Sequence, residues 1–230
     1  MIGGYGAVLT EVRVGGDVVA LWQIDDLERY IDRHALLAAE DPVEPPYWAH
    51  LWSGARVLAG SVPVRPGRTI ELGCGLGLPG LTAARRGGRV TFVDRARAPL
   101  AFVRASAVAG GVEKIDVVAA DFVAGGIAGR FDLVLLAEVL YDRAAFPAVA
   151  RAVADRLAEH GLALLADGAR IDTRAFYPEL IALGLEVETT THRVEADGVV
   201  EAIALSAIRW CGGGGRSETR LGPRTNWLQR

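Results

Sequence analysis

The 230 residues are 51 % hydrophobic and carry 25 Lys and Arg against 28 Asp and Glu, a formal charge of −3. That is enough apolar material for one sizeable core, so one domain is expected, and the balance offers no basic field for wrapping a phosphate backbone, so general nucleic-acid binding is disfavoured. Two cysteines, Cys74 and Cys211, suggest neither a disulfide framework nor a metal site and fit a reducing cytoplasm; no basic leader opens the chain, and no apolar run reaches the roughly 18 residues of a membrane span.

In chain order, residues 7–14 and 17–24 are apolar-rich runs flanking Gly15-Gly16-Asp17, which predicts a hairpin. Asp25 and Asp26 then stand where they would cap a helix, and Ile24, Leu27, Ile31 and Ala35 recur at helical spacing up to Asp41-Pro42. After Pro45-Pro46 comes Tyr47-Trp48-Ala49-His50-Leu51-Trp52-Ser53-Gly54, followed by an Ala/Val/Leu helix that stops near Pro63 and Pro66. From residue 68 short aliphatic runs alternate with alanine-rich stretches. Strands are expected at 68–73, 89–94, 115–119, 131–137 and 161–167, and helices near 78–86, 96–109, 143–158 and 172–183, with Asp142 as an N-cap.

This alternation marks an α/β, Rossmann-like sheet of mostly parallel strands buried on both faces. Residues 185–193 and 199–209, parted only by Glu195-Ala196-Asp197-Gly198, should close it with an antiparallel hairpin. The expected organisation is one domain over 1–210, with 1–66 as an extension and cap and 67–210 as the core, and a flexible tail over 211–230 that opens on four glycines.

The chemistry centres on Glu71-Leu72-Gly73-Cys74-Gly75-Leu76-Gly77, a strand running into a glycine loop, with Pro79 suited to a helix's first turn. Glycines there allow φ > 0 and close approach of a ligand, and the helix N-terminus favours a carboxylate or phosphate. Gly75-Leu76-Gly77-Leu78-Pro79-Gly80 also satisfies the dinucleotide pattern G-x-G-x-x-G, a weak signal alone. Three acids tilt the balance. Glu71 would repel a pyrophosphate and could bind a cationic amino-acid group or fix the loop. Asp94, closing the next strand, can accept both hydroxyls of a ribose. Asp121 and Phe122, after the third, can take an adenine amino group and cover its ring.

At these residues the chain resembles the class I, seven-strand S-adenosylmethionine-dependent methyltransferases. With Trp52-Ser53-Gly54-Ala55 and Glu138-Val139-Leu140-Tyr141 it looks like their protein-lysine branch, which includes enzymes acting on the electron-transfer flavoprotein β subunit, chaperones and translation factors. The resemblance covers about residues 45–210. It implies S-adenosylmethionine as cofactor, with Gly73, Cys74 and Gly75 at its methionine part, Gly77 also in the cofactor-binding loop, Asp94 at the ribose and Asp121 and Phe122 at the adenine. Ala137 would face the cofactor and Trp52 lie beside it, while Glu138 holds the incoming nitrogen and Tyr141 shapes the acceptor channel. Many members have Trp where this chain has Phe122, and Asp where it has Glu138.

The expected acceptor is a protein lysine. The alternatives are a small-molecule N- or O-acceptor or, from another class, a nucleotide-binding oxidoreductase. No nucleic-acid or membrane partner is expected, and the four histidines show no metal-ligand spacing.

Overall fold

The structure is a computed structural model describing residues 1–31, 46–168, 170–196 and 198–212. The expected tail lies, beyond Gly212, outside the described residues. Strands β1 (Ala7–Val14) and β2 (Asp17–Ile24) form the expected hairpin, pairing Val14 with Asp17 across Gly15-Gly16. Ile24 is thereby committed to the ladder, opposite Ala7, and cannot begin a helix. Past the hairpin the chain makes a single 3-10 turn, Leu27–Tyr30, to which the Asp26 side chain contributes no cap. The rest of the expected helix, from residue 32, lies outside the described residues.

A second 3-10 turn, Tyr47–Ala49, leads into α1 (Ser53–Ser61), which ends before Pro63. The core then alternates as expected: β3 (Arg68–Leu72), α2 (Leu78–Arg85), β4 (Arg89–Asp94), α3 (Arg97–Ala109), β5 (Ile115–Ala119) and β6 (Phe131–Ala137). After it come α4 (Phe146–Arg156), β7 (Leu157–Gly168), α5 (Phe176–Ala182), β8 (Leu185–Ala196) and β9 (Val199–Trp210).

Seven strands form one sheet in the order β5-β4-β3-β6-β7-β9-β8. Strands β3 to β7 pair in parallel, and β9 runs antiparallel to both its neighbours. This is the expected α/β, Rossmann-like sheet of mostly parallel strands with its antiparallel closing hairpin. The two-residue side-chain period sends successive residues to opposite faces. Leu133 and Leu135 of β6 therefore join the core beneath α1, α2 and α3, and Val134 and Leu136 the core beneath α4 and α5. Phe92 and Phe102, fully buried in the first layer, each contribute roughly 1.5–3 kcal/mol by leaving water.

Several boundaries differ from the sequence expectation: α5 begins at Phe176 rather than near 172, β8 runs to Ala196 rather than 193, and the junction of α4 with β7 moves. Helix α4 stops at Arg156 and β7 begins at once, at Leu157, where a helix to 158 and a strand from 161 were expected. The cause is a bulge: Leu157 pairs with Phe131, but the next pair is Leu162 with Leu133. A side chain at Gly161 would strike Leu157 and the Phe131 carbonyl, so the irregularity needs glycine there.

Order β5-β4-β3-β6 also means that the chain leaves β3 toward β4 on one side and returns to β6 on the other. Such a reversal opens a crevice at the strands' C-terminal ends. The hairpin β1-β2 packs on α3, where the Trp22 amide donates to Ser106 Oγ at 2.9 Å. Arg86 ties it to the core through Asp17, at 2.8 Å, and through the Val62 carbonyl.

Candidate active site

One cavity of about 850 Å³ fills that crevice. Its floor is the glycine loop after β3, its walls the segments after β4, β5 and β6, and its roof residues 46–52. All twelve site residues expected from the sequence line it. They fall into three groups.

The glycine loop has Gly73, Gly75 and Gly77 at φ of +68°, +49° and +75°, a left-handed region costly for other residues. A Cβ on Gly75 would lie 2.9 Å from the Trp48 carbonyl oxygen, so the roof rests on the loop. At Gly77 the demand comes from the core, since a Cβ would meet Val103 and Phe92. Several amides of the turn are already committed: Cys74 N–H to the Val93 carbonyl, Gly77 N–H to the Cys74 carbonyl and Gly75 N–H to Asp94 Oδ2. Burial, with Glu71 and Asp94 nearby, pushes the Cys74 thiol well above its usual range and keeps it protonated, which removes it as a nucleophile.

Of the two roles expected of Glu71, the structure displays a bond that fixes the loop. Only 1 % exposed, it accepts the Gly80 amide at Oε2, at 2.9 Å, inside the first turn of α2. A carboxyl group thus already stands where a pyrophosphate would seek amides. Burial raises its pKa to about 8, opposed by the Gly80 bond. Asp94 accepts from Gly75 through Oδ2 and from Ala96 through Oδ1, both at 3.0 Å, so its carboxylate stands fixed at the tip of β4. Burial raises its pKa too, against the pull of those amides. Asp121 and Phe122 lie just past β5, Asp121 exposed and accepting the Val123 amide. The Phe122 ring approaches Gly73: a Cβ there would lie 3.4 Å from Phe122 Cε1 and 3.0 Å from Val139 Cγ1. A side chain at Gly73 would therefore crowd both Val139 and the ring.

The third group surrounds Glu138, next to Ala137 at the end of β6. Its φ of +58° is unusual for a side-chain-bearing residue, and its carboxylate is buried. Oε1 accepts from Gly54 N–H at 3.1 Å and Gly168 N–H at 3.2 Å; Oε2 accepts from Gly168 N–H at 3.1 Å and Arg170 Nη2 at 2.8 Å. Glu138 therefore joins α1, β6 and β7 from within. Its lone pairs are engaged by the protein, whereas the sequence suggested a direct bond to an incoming nitrogen. Tyr141 is 59 % exposed at the rim, and Asp142 caps the turn beyond it by accepting the Ala144 amide. Trp52 donates its indole N–H to the Tyr47 carbonyl, and its ring meets His50 edge-on at 4.4 Å.

Sequence reasoning missed two groups. Arg170 lies with its guanidinium 4.4 Å from the centre of the Trp52 ring. Asp167, buried at the end of β7, has an Oδ2 with no partner among the described residues, and burial together with the Glu138 charge raises its pKa to about 7. The available signal was their position at and just past the C-terminal end of a parallel strand, where ligands bind in such sheets. Among the described residues no group of His, Cys, Asp and Glu could hold a metal, and no helix is long and apolar enough to cross a membrane.

Residues 70–161 match the family model described as a methyltransferase domain. Solved structures of low identity share the fold. N-methyltransferase NodS from Bradyrhizobium japonicum WM9, in complex with S-adenosyl-L-homocysteine, is 20 % identical with a TM-score of 0.58, over 80 % of this chain and 96 % of that one. The 16S rRNA N2 G1207 methyltransferase RsmC of T. thermophilus, in complex with AdoMet and guanosine, is 18 % identical with a TM-score of 0.59, over 88 % and 50 %. TehB from Haemophilus influenzae is 16 % identical with a TM-score of 0.51, over 62 % and 57 %. The chain thus spans little more than half the length of TehB and half that of RsmC. A match to a methyltransferase domain over residues 70–161 sits within a fold that these methyltransferases share. The crevice presents a glycine loop, a fixed carboxylate at Asp94 and loop amides already committed where a pyrophosphate would need them.

Proposed function

We propose that the chain methylates the side-chain amine of a protein lysine. The observation that carries this reading is the mouth of the cavity, where exposed Tyr47 and Tyr141 stand beside Trp52 and the Glu138 knot. An open, aromatic-rimmed mouth admits a long aliphatic side chain borne on a large partner, and shields its stem from water. NodS and RsmC are nitrogen methyltransferases, which agrees with an amine acceptor.

Bound S-adenosylmethionine supplies an electrophilic methyl group on a sulfonium. The residues hold it and prepare the acceptor. Gly73, Cys74, Gly75 and Gly77 border the methionine part, Asp94 takes the ribose hydroxyls, Asp121 and Phe122 take the adenine, and Ala137 leaves room where strand β6 ends. The channel holds the deprotonated amine toward that methyl group, and the amine's proton passes to water. Near-attack placement supplies most of the advantage in such a step. In this scheme Glu138 is a positioning residue that fixes Gly54, Gly168 and Arg170 around the channel, and Tyr141 lines the channel itself. Desolvation beside a cation lowers the amine's pKa and frees its lone pair.

The test is to incubate the protein with isotopically labelled donor and a lysate of its host, then locate the label by mass spectrometry. Label on lysine in protein supports the reading. Label confined to free metabolites would replace it with the small-molecule alternative.

A further inference from the structure

Arg170 is only partly used by the protein. Nη2 serves both Glu138 Oε2, at 2.8 Å, and the Glu138 carbonyl, at 3.1 Å, while the guanidinium lies over Trp52. Nε–H and the two Nη1–H groups make no bond to any described residue, and the side chain is 37 % exposed at the cavity wall. An arginine has five donors in a rigid fork, matched to a carboxylate. Here the fork is fixed twice, by the ion pair and by the ring, so little rotamer entropy remains to be lost when its open edge binds. Glu138 is already filled by amides and by Nη2, and Asp142 Oδ1 by the Ala144 amide; Asp167 is near enough to feel the Arg170 charge, yet its buried Oδ2 makes no hydrogen bond to that edge.

We propose that Arg170 is the specificity-determining residue of the acceptor site and binds a carboxylate of the methyl acceptor through Nε and Nη1. The inference rests on the methyltransferase reading and deepens it. On a protein acceptor the carboxylate is a Glu or Asp neighbouring the target lysine; on a free acceptor it is the molecule's own.

Two arms test it on protein saturated with S-adenosylhomocysteine or donor. In the first, the Arg170 Nε–H signal is followed by ¹⁵N NMR, assigned by its absence from R170K, while acetyl-Lys-Glu-amide, acetyl-Lys-Gln-amide and glutarate are added. The Glu dipeptide or glutarate should shift the signal, and the Gln dipeptide should not; glutarate acting alone points to a free acceptor. In the second arm, kcat/KM is measured on single-lysine peptides with Glu or Gln beside the lysine. The wild type should prefer Glu by about tenfold, and R170Q should lose the preference. A signal unmoved by either carboxylate probe, or a Glu preference that survives in R170Q, overturns the proposal. A carboxylate response without methylation of any lysine peptide leaves Arg170 its role and removes lysine as the acceptor. If R170Q does not fold, the NMR arm and the kinetics of R170K still decide.

Discussion

The Glu138 carboxylate occupies the space where a side chain on Gly54 would begin: a Cβ there would strike Oε1, which instead receives the Gly54 amide at 3.1 Å. Helix α1 can start at this point only because residue 54 is glycine and residue 138 brings an acceptor. Removing the acceptor in Glu138→Ala leaves the Gly54 and Gly168 amides without their partner, at a cost of about 2–4 kcal/mol. Urea denaturation should show that loss, and turnover should fall sharply while S-adenosylhomocysteine affinity stays within about fivefold, one factor of ten being 1.4 kcal/mol. Unchanged turnover would remove Glu138 from the site.

Asp94 acts on the other side of the cavity. Asp94→Ala removes the carboxylate proposed to take the ribose hydroxyls and also frees the Gly75 amide that it now holds. Calorimetry with S-adenosylhomocysteine should give a dissociation constant raised by more than about tenfold, with the circular dichroism spectrum preserved. Equal affinity would place the cofactor elsewhere.

Glu71 and Asp167 make stability depend on pH. Both have pKa values raised on folding, to about 8 and about 7, chiefly by burial. The folded state then binds protons more tightly than the unfolded chain, so these stabilising contributions are full at low pH and are lost as pH rises through those values. Urea midpoints should therefore fall as pH rises from about 4.5 to about 8 and level off above it. Glu71→Gln and Asp167→Asn should each flatten the decline and exceed the wild type at the alkaline end. A wild-type midpoint that rises over this range would contradict the assignment.

Arg86 offers a test away from the chemistry. Its bonds to Asp17 and to the Val62 carbonyl join hairpin β1-β2 to the end of α1. The Arg86 side chain is 15 % exposed, so the pair is better shielded than a surface ion pair. Arg86→Ala should cost about 1–3 kcal/mol by thermal or urea unfolding, mostly from polar groups left unpaired.

Sequence periodicity made the fold legible because buried parallel strands, turn glycines and hairpin punctuation are local signals. Strands β3, β4, β5 and β6 stand within a residue of their expected bounds. The glycine loop and Asp94 were legible for the same reason, since loop and strand tip are each written in consecutive residues. The start of β7 was not, because the bulge that sets it depends on pairing with β6. The helical spacing from Ile24 failed at its first residue, where pairing with Ala7 prevailed over local pattern.

The sequence by itself determined the order of elements, the left-handed loop and which acids would reach one crevice, all consequences of backbone preference and apolar period. Only the tertiary structure decided what those acids bind. Glu71 turns under α2, Glu138 is filled by amides 84 and 30 residues away, and Arg170 lies on Trp52. Hydrogen-bond partners and burial belong to groups that folding alone brings together, and no local pattern encodes them.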